Sequence, residues 1–129
     1  MSDFKEDFEK IINTEDSTSS FDPADVRGNL AMSILAYLSV LVLIPLFLAK
    51  NSRFARYHCN QGLILMIVEV VCWIVLGILG GLPLIGWIFR LVNGVLGVLF
   101  LILSIIGIVN VVNGRAKALP VIGSFRILN

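Results

Sequence analysis

Few side chains in this sequence are equipped for chemistry, and most of them fall on one line. If the second helix begins within the basic loop of residues 49–61, a turn of 100° per residue places His58, Gln61, Gly62, Leu65, Glu69, Cys72 and Leu76 within about 60° of one direction. His58 and Glu69 are the titratable members, and together they suggest a proton or cation relay running from Glu69 toward His58. The plainer reading is structural. A charge deep in hydrocarbon costs about 2.5–3.5 kcal/mol on insertion scales, so such a group faces protein or water. Ser39 and Ser104 lie at the depth of Glu69, and hydroxyls there would make the stripe a polar clasp between helices.

Other chemistries find no support. As an acid and base, His58 and Glu69 would stand about 16 Å apart along one helix, too far to serve one substrate. No nucleophile is paired with a base, and the Gly-rich segment at residues 80–83 lacks a Lys or Ser/Thr at phosphate-loop spacing. Cys59 and Cys72 form neither a disulfide framework nor part of a Cys/His metal cluster. No enzyme, cofactor, metal or nucleic-acid partner is expected.

The elements that must hold these residues are written in the composition. Of 129 residues 57% are hydrophobic, and a mean hydropathy of +0.93 exceeds what one soluble core needs. A bilayer is the solvent that fits, and the sequence reads as an all-α membrane protein with three transmembrane helices behind a polar, acidic N-terminal tail. The tail is residues 1–28. Its apolar stripe of Phe4, Phe8, Ile11 and Ile12 has the spacing of a short amphipathic helix, and the acidic start followed by no apolar run is the wrong order for a cleaved signal. The membrane domain is residues 29–129. Its first span covers about 29–48, near the twenty residues that a ~30 Å slab requires, with Pro45 in its last turn. The apolar run after residue 61 is too long for one span, and Gly80-Gly81-Leu82-Pro83 divides it into spans of about 62–80 and 87–112.

Eight of the nine acids precede Arg27, whereas eight of the ten bases are Arg27 or later. With three antiparallel spans, Lys50, Arg53 and Arg56 share one side with Arg115, Lys117 and Arg126. The positive-inside rule makes that side cytoplasmic, leaving the N-terminus outside and the C-terminus inside a multi-pass cell-membrane protein. Lys50, Arg53, Arg56, Arg115 and Lys117 then form a basic rim suited to anionic lipid or to an acidic partner. On the third span Asn93, Gly94, Gly97, Leu101, Ser104 and Ile108 share a face, where Gly94, Gly97 and Ser104 permit close helix packing.

Three stretches carry a family likeness: residues 31–38 (AMSILAYL), 52–63 (SRFARYHCNQGL) and 113–123 (NGRAKALPVIG). They resemble uncharacterised prokaryotic membrane proteins described as similar to the chloroplast inner-envelope import component. The specific part is Phe54, Arg56, His58, Gln61 and Gly62 at the entry to a membrane helix. The resemblance implies a bacterial three-helix protein distantly linked to protein translocation. Tyr57 and Cys59 depart from the Phe and Ala of those relatives, and the plant protein has four spans, so import activity is not implied.

The function these features support is non-enzymatic: self-association in the lipid bilayer, or service as a subunit or assembly partner of a larger membrane complex. The alternative is an oligomeric channel or transporter for ions, protons or polypeptide that uses the polar stripe around Glu69.

Overall fold

The computed structural model describes Lys5, Glu6, residues 16–125 and residues 127–128. The stripe of Phe4, Phe8, Ile11 and Ile12, and Arg126 of the tail, lie outside the described residues. Among the described residues from 16 onward, five α-helices follow one another: α1 Pro23–Gly28, α2 Leu30–Leu35, α3 Leu43–Leu48, α4 Arg53–Leu79 and α5 Gly86–Val112. Short 3₁₀ turns occupy Thr18–Ser20 and Ser39–Val42. Among the described residues there is no strand, only an isolated antiparallel bridge between Asp16 and Lys117.

Among the described residues, two helices are long and apolar enough to cross a membrane, α4 and α5. Each has 27 residues, which at 1.5 Å per residue is about 40 Å. They form a hairpin whose turn falls at the Gly80-Gly81-Leu82-Pro83 cut. The turn is tight because Gly86 lies against the Gly80 carbonyl, where a Cβ would come within 2.3 Å of the oxygen. Leu84 takes a left-handed φ of 72° there.

Helix α4 starts nine residues before the expected span and absorbs most of what the sequence suggested was a basic loop. Its caps explain the extension. The Ser52 side chain accepts from the Ala55 N–H at 3.0 Å, and the Asp25 carboxylate accepts from the Phe54 N–H at 2.9 Å and the Ser52 hydroxyl at 2.6 Å. A carboxylate at this end also complements the helix dipole.

The expected first span at 29–48 is not one helix. Helix α2 stops at Leu35, the chain turns through Ala36–Leu38, and Ser39 sits in the left-handed region at φ 56°. Helices α2 and α3 have six residues each, about 9 Å, so neither crosses a ~30 Å slab. Pro45 therefore stands in the first turn of α3, where a missing backbone donor costs nothing, and not in the last turn of a long helix. In a continuous helix its ring would meet the Leu41 carbonyl. The contacts that hold the turn come from distant glycines. A Cβ on Gly62 would overlap the Ala36 carbonyl oxygen at 1.7 Å, and one on Gly107 would come within 2.3 Å of the Tyr37 ring.

This turn-back also changes which segments share an end of the molecule. Three antiparallel spans would separate Arg27 from the 49–61 segment, yet Asp25 caps α4 directly. The Ser17 N–H donates to the Ala116 carbonyl at 2.8 Å, and the Ala116 N–H donates to the Thr18 hydroxyl at 3.0 Å. Residues 16–28, the start of α4 and the segment after α5 are thus gathered at one end. The core sits there too, around Tyr37, Val42, Phe54, His58, Gln61, Leu65, Val111 and Leu119. Along the far parts of α4 and α5, large apolar side chains such as Ile67, Val71, Trp73, Ile78, Trp87 and Leu101 stay exposed. A continuous apolar sleeve of this kind marks lipid or a partner, not water.

Candidate functional site: a polar clamp and a polar cavity

The first part of the site is built by α4 on the segment after α5. His58 is fully buried, with its Nε2 2.9 Å from the Arg115 carbonyl and its Nδ1 2.5 Å from the Tyr37 hydroxyl. A carbonyl can only accept, so Nε2 carries the proton and Nδ1 accepts from the tyrosine. Phe54, Tyr57 and Tyr37 surround the imidazole edge-to-face at centroid distances of 4.7, 5.3 and 5.4 Å. Held this way, the ring ties the turn at Tyr37 to the end of α5.

One turn further on, Gln61 is buried and fully engaged. Its Oε1 accepts from the Leu119 N–H at 2.9 Å, while its Nε2 donates to the Gly123 carbonyl at 3.0 Å. Asn60 does the same to the chain's last residues. Its Oδ1 accepts from the Ile127 and Leu128 N–H groups at 2.5 and 3.0 Å, and its Nδ2 donates to the Phe125 carbonyl at 3.0 Å. A tail without regular structure has backbone groups that must find partners when buried. The amides of α4 supply them. Gly123 has no room for a side chain, since a Cβ there would lie 2.4 Å from the Leu119 backbone.

Phe54, His58, Gln61 and Gly62 of the family-like motif therefore pack or bond within this clamp, while Arg56 borders it. Sequence reasoning missed Tyr37, Asp25, Asn60 and Asn110, the last donating to the Lys117 carbonyl at 3.5 Å. Of these only Asn60 had a visible signal, its place between His58 and Gln61, and it falls off their helical face.

The second part is a cavity of about 660 Å³ above the tip of the turned-back segment. Glu69, Ser39, Asn93 and Ser104 supply its polar walls, and Tyr37, Trp73 and Phe100 its aromatic ones. Glu69 is half-buried and shares the cavity wall with Ser39. Tyr37 belongs to both parts, lining the cavity and donating to His58. Beyond His58 the connection ends on a backbone carbonyl, which cannot pass a proton on. Arg90 lies at the hairpin instead, with its Cγ against Gly80.

Gly97 lines the cavity, and Gly94 is exposed beside it; a Cβ on either would meet nothing within 4 Å. Inside one chain these positions are open, and the glycines under the closest contact are Gly62, Gly86, Gly107 and Gly123. Of the basic rim, Lys50, Arg53 and Arg115 are exposed, while Arg56 and Lys117 are half-buried. Cys59 is buried and Cys72 half-buried, both as free thiols. No group of three His, Cys, Asp or Glu side chains converges among the described residues.

A helical hairpin sheathed in exposed apolar side chains, with its polar residues drawn inward, defines a small all-helical membrane protein. The chain belongs to the MamF/MmsF family, the magnetosome magnetite crystal formation proteins, whose family profile matches residues 27–128. It is 34% identical over 80 residues to the magnetosome protein MamF of Paramagnetospirillum magneticum, covering 61% of this chain and 63% of that one. To the magnetosome protein MmsF of the same organism it is 36% identical over 59 residues, 45% of this chain and 51% of the relative. The chain thus spans less than two thirds of the length of either relative. No solved structure matches it.

These findings overturn the resemblance to the chloroplast import component and its bacterial look-alikes. The three stretches that suggested it all lie inside the MamF/MmsF match. In physical terms they are a turn, a clamp and the tail it grips, features that tie a chain together and say nothing of translocation.

Proposed function

We propose that this protein is a non-enzymatic component of magnetite crystal formation that acts in the magnetosome membrane by self-association or by joining a larger membrane assembly. The observation that carries this reading is the half-filled groove between α4 and α5. The first apolar segment turns back at Tyr37–Ser39, and beyond it Glu69, Asn93 and Ser104 line an unfilled cavity. Polar groups at membrane depth face protein or water, so a helix from another subunit is a suitable cover. The open positions at Gly94 and Gly97 would let such a helix approach closely.

The same turn-back supports a topology with the N-terminal segment and the C-terminal tail on one side of the membrane. The positive-inside rule makes that side cytoplasmic, since it carries Lys50, Arg53, Arg56, Arg115 and Lys117. The opposite side then receives the uncharged turn at residues 80–85, which offers no ionic ligand to a mineral. Influence on a crystal would run through assembly. Cysteines placed at exposed Ser19 and Ser124 should label alike with an impermeant thiol reagent in sealed vesicles, and opposite labelling would restore a three-span arrangement.

A second reading, an oligomeric channel or transporter, is favoured by the size and polarity of the cavity alone. Two experiments separate the readings. In a magnetite-forming bacterium lacking this protein, the wild-type chain should restore crystal dimensions and Glu69→Leu should restore them poorly. In proteoliposomes, ion or proton flux that Glu69→Leu abolishes would favour transport instead.

A further inference from the structure

A second pocket, of about 320 Å³, opens at the start of α4, where three stretches far apart in sequence meet. Ser17, Ser20 and Phe21 come from the N-terminal segment, Arg53 and Arg56 from the first turn of α4, and Leu128 from the tail. Its polar walls are the Arg53 and Arg56 guanidinium groups with Ser17, Ser20, Tyr57 and Asn60, and among the described residues no carboxylate lines it. The described acids nearby are engaged elsewhere. Asp25 caps α4, the Asp22 side chain accepts from the Ala24 N–H, and Asp16 is engaged by Thr18. Arg53 is held in place by the Phe21 ring, with its guanidinium carbon 5.7 Å from the ring centroid. A cationic recess with no carboxylate in its described lining, walled by planar forks, has the chemistry of a phosphate site.

Its position says where the phosphate could come from. A helix of about 40 Å exceeds the ~30 Å hydrocarbon layer, so the first turn of α4 projects into the headgroup region. We propose that Arg53 and Arg56, with Ser17 and Ser20, form a discrete binding site for one phosphate group, presented by an anionic lipid headgroup or as free phosphate. This is narrower than attraction to a basic rim, because it requires the two arginines of the pocket and not the exposed Lys50 outside it. An occupant would also fasten the N-terminal segment and the tail to α4 at once.

The test is native mass spectrometry of the full chain in mild detergent, titrated with dioleoyl phosphatidylglycerol, with dioleoylglycerol as the same chains without phosphate, and with inorganic phosphate. Wild type should hold one phosphatidylglycerol where dioleoylglycerol gives no retained adduct. Arg53→Gln/Arg56→Gln should weaken that adduct about tenfold or more, Ser17→Ala/Ser20→Ala less, and Lys50→Gln by under about twofold. Displacement of the lipid by millimolar inorganic phosphate would support the site with free phosphate as a ligand; no displacement would support it with the lipid as the source. Equal retention of dioleoylglycerol, an unchanged adduct in the double arginine variant, or an equal loss in Lys50→Gln would overturn the proposal. Circular dichroism without lipid checks each fold. If the glutamine variant does not fold, Arg53→Lys/Arg56→Lys keeps the charge without the fork and should still bind several-fold more weakly.

Discussion

The two ends of this molecule handle polar side chains in opposite ways. At the clamped end His58, Asn60 and Gln61 are buried, with both imidazole nitrogens and the amide groups of Asn60 and Gln61 engaged by the chain itself. Along the open hairpin Glu69, Asn93 and Ser104 face a cavity, which Ser39 lines from the tip of the turn. The clamp consumes its polarity in holding a tail and a turn in place. The cavity keeps its polarity available, and for that reason the function is assigned to the second region and the architecture to the first.

The sharpest way to break this contrast is to attack the clamp where backbone meets backbone. Gly62→Ala pushes a methyl into the Ala36 carbonyl, 1.7 Å from the new Cβ, and backbone cannot move aside as a flexible side chain could. A loss on the order of 3 kcal/mol is expected, read as a large drop in detergent melting temperature. Gln61→Leu comes next. It leaves the Leu119 N–H and the Gly123 carbonyl without their partners, for a loss of about 2–3 kcal/mol and faster proteolysis of the tail. An unchanged melting temperature in Gly62→Ala would show that the close approach to Ala36 does not hold the turn, and one in Gln61→Leu that the clamp does not stabilise the tail.

The smallest effect concerns pH. The Asp16 carboxyl is held below its usual range chiefly by the Thr18 hydroxyl, then by the Thr18 N–H, with Lys117 and Arg115 adding weaker attraction. A depressed value means that the contribution is present above the unfolded value, near 3.8, and is lost as pH falls through the folded one. Asp16 is exposed, so solvent screens most of it. Hydrogen exchange at the Ser17 and Ala116 amides should quicken modestly below about pH 3.8 beyond its intrinsic trend, and Asp16→Asn should remove that change.

The long helices were legible because an apolar run of this length has one solvent, and because two glycines and a proline interrupt it at residues 80–83. The turn-back at residues 36–42 was not legible. Apolar composition reports what surrounds a segment and not whether its backbone runs straight, and Pro45 suits the last turn of one helix as well as the first turn of another. The buried line through His58 and Gln61 could be drawn from helical periodicity, but its partners are Tyr37 on one side and Arg115, Leu119 and Gly123 on the other, at separations that no local pattern spans. Asn60 was overlooked because it points off that line toward the same tail. Depth arithmetic put Ser39 and Ser104 level with Glu69, and all three line one cavity, although Ser39 reaches that level at the tip of a turn and not within a span.

The central claim is that the cavity around Glu69 is an assembly surface, and it is tested most directly by subunit association in bicelles. With Cys59 and Cys72 replaced, a single cysteine at exposed Ser124 carries donor or acceptor dye, and energy transfer is followed as the lipid is diluted. The account predicts saturable, dilution-dependent transfer in the parent chain, weakened several-fold by Glu69→Leu and by Gly97→Leu, while each variant loses no more than about 1 kcal/mol of its own stability. Transfer equal in the parent and both variants, or absent from the parent, would contradict it.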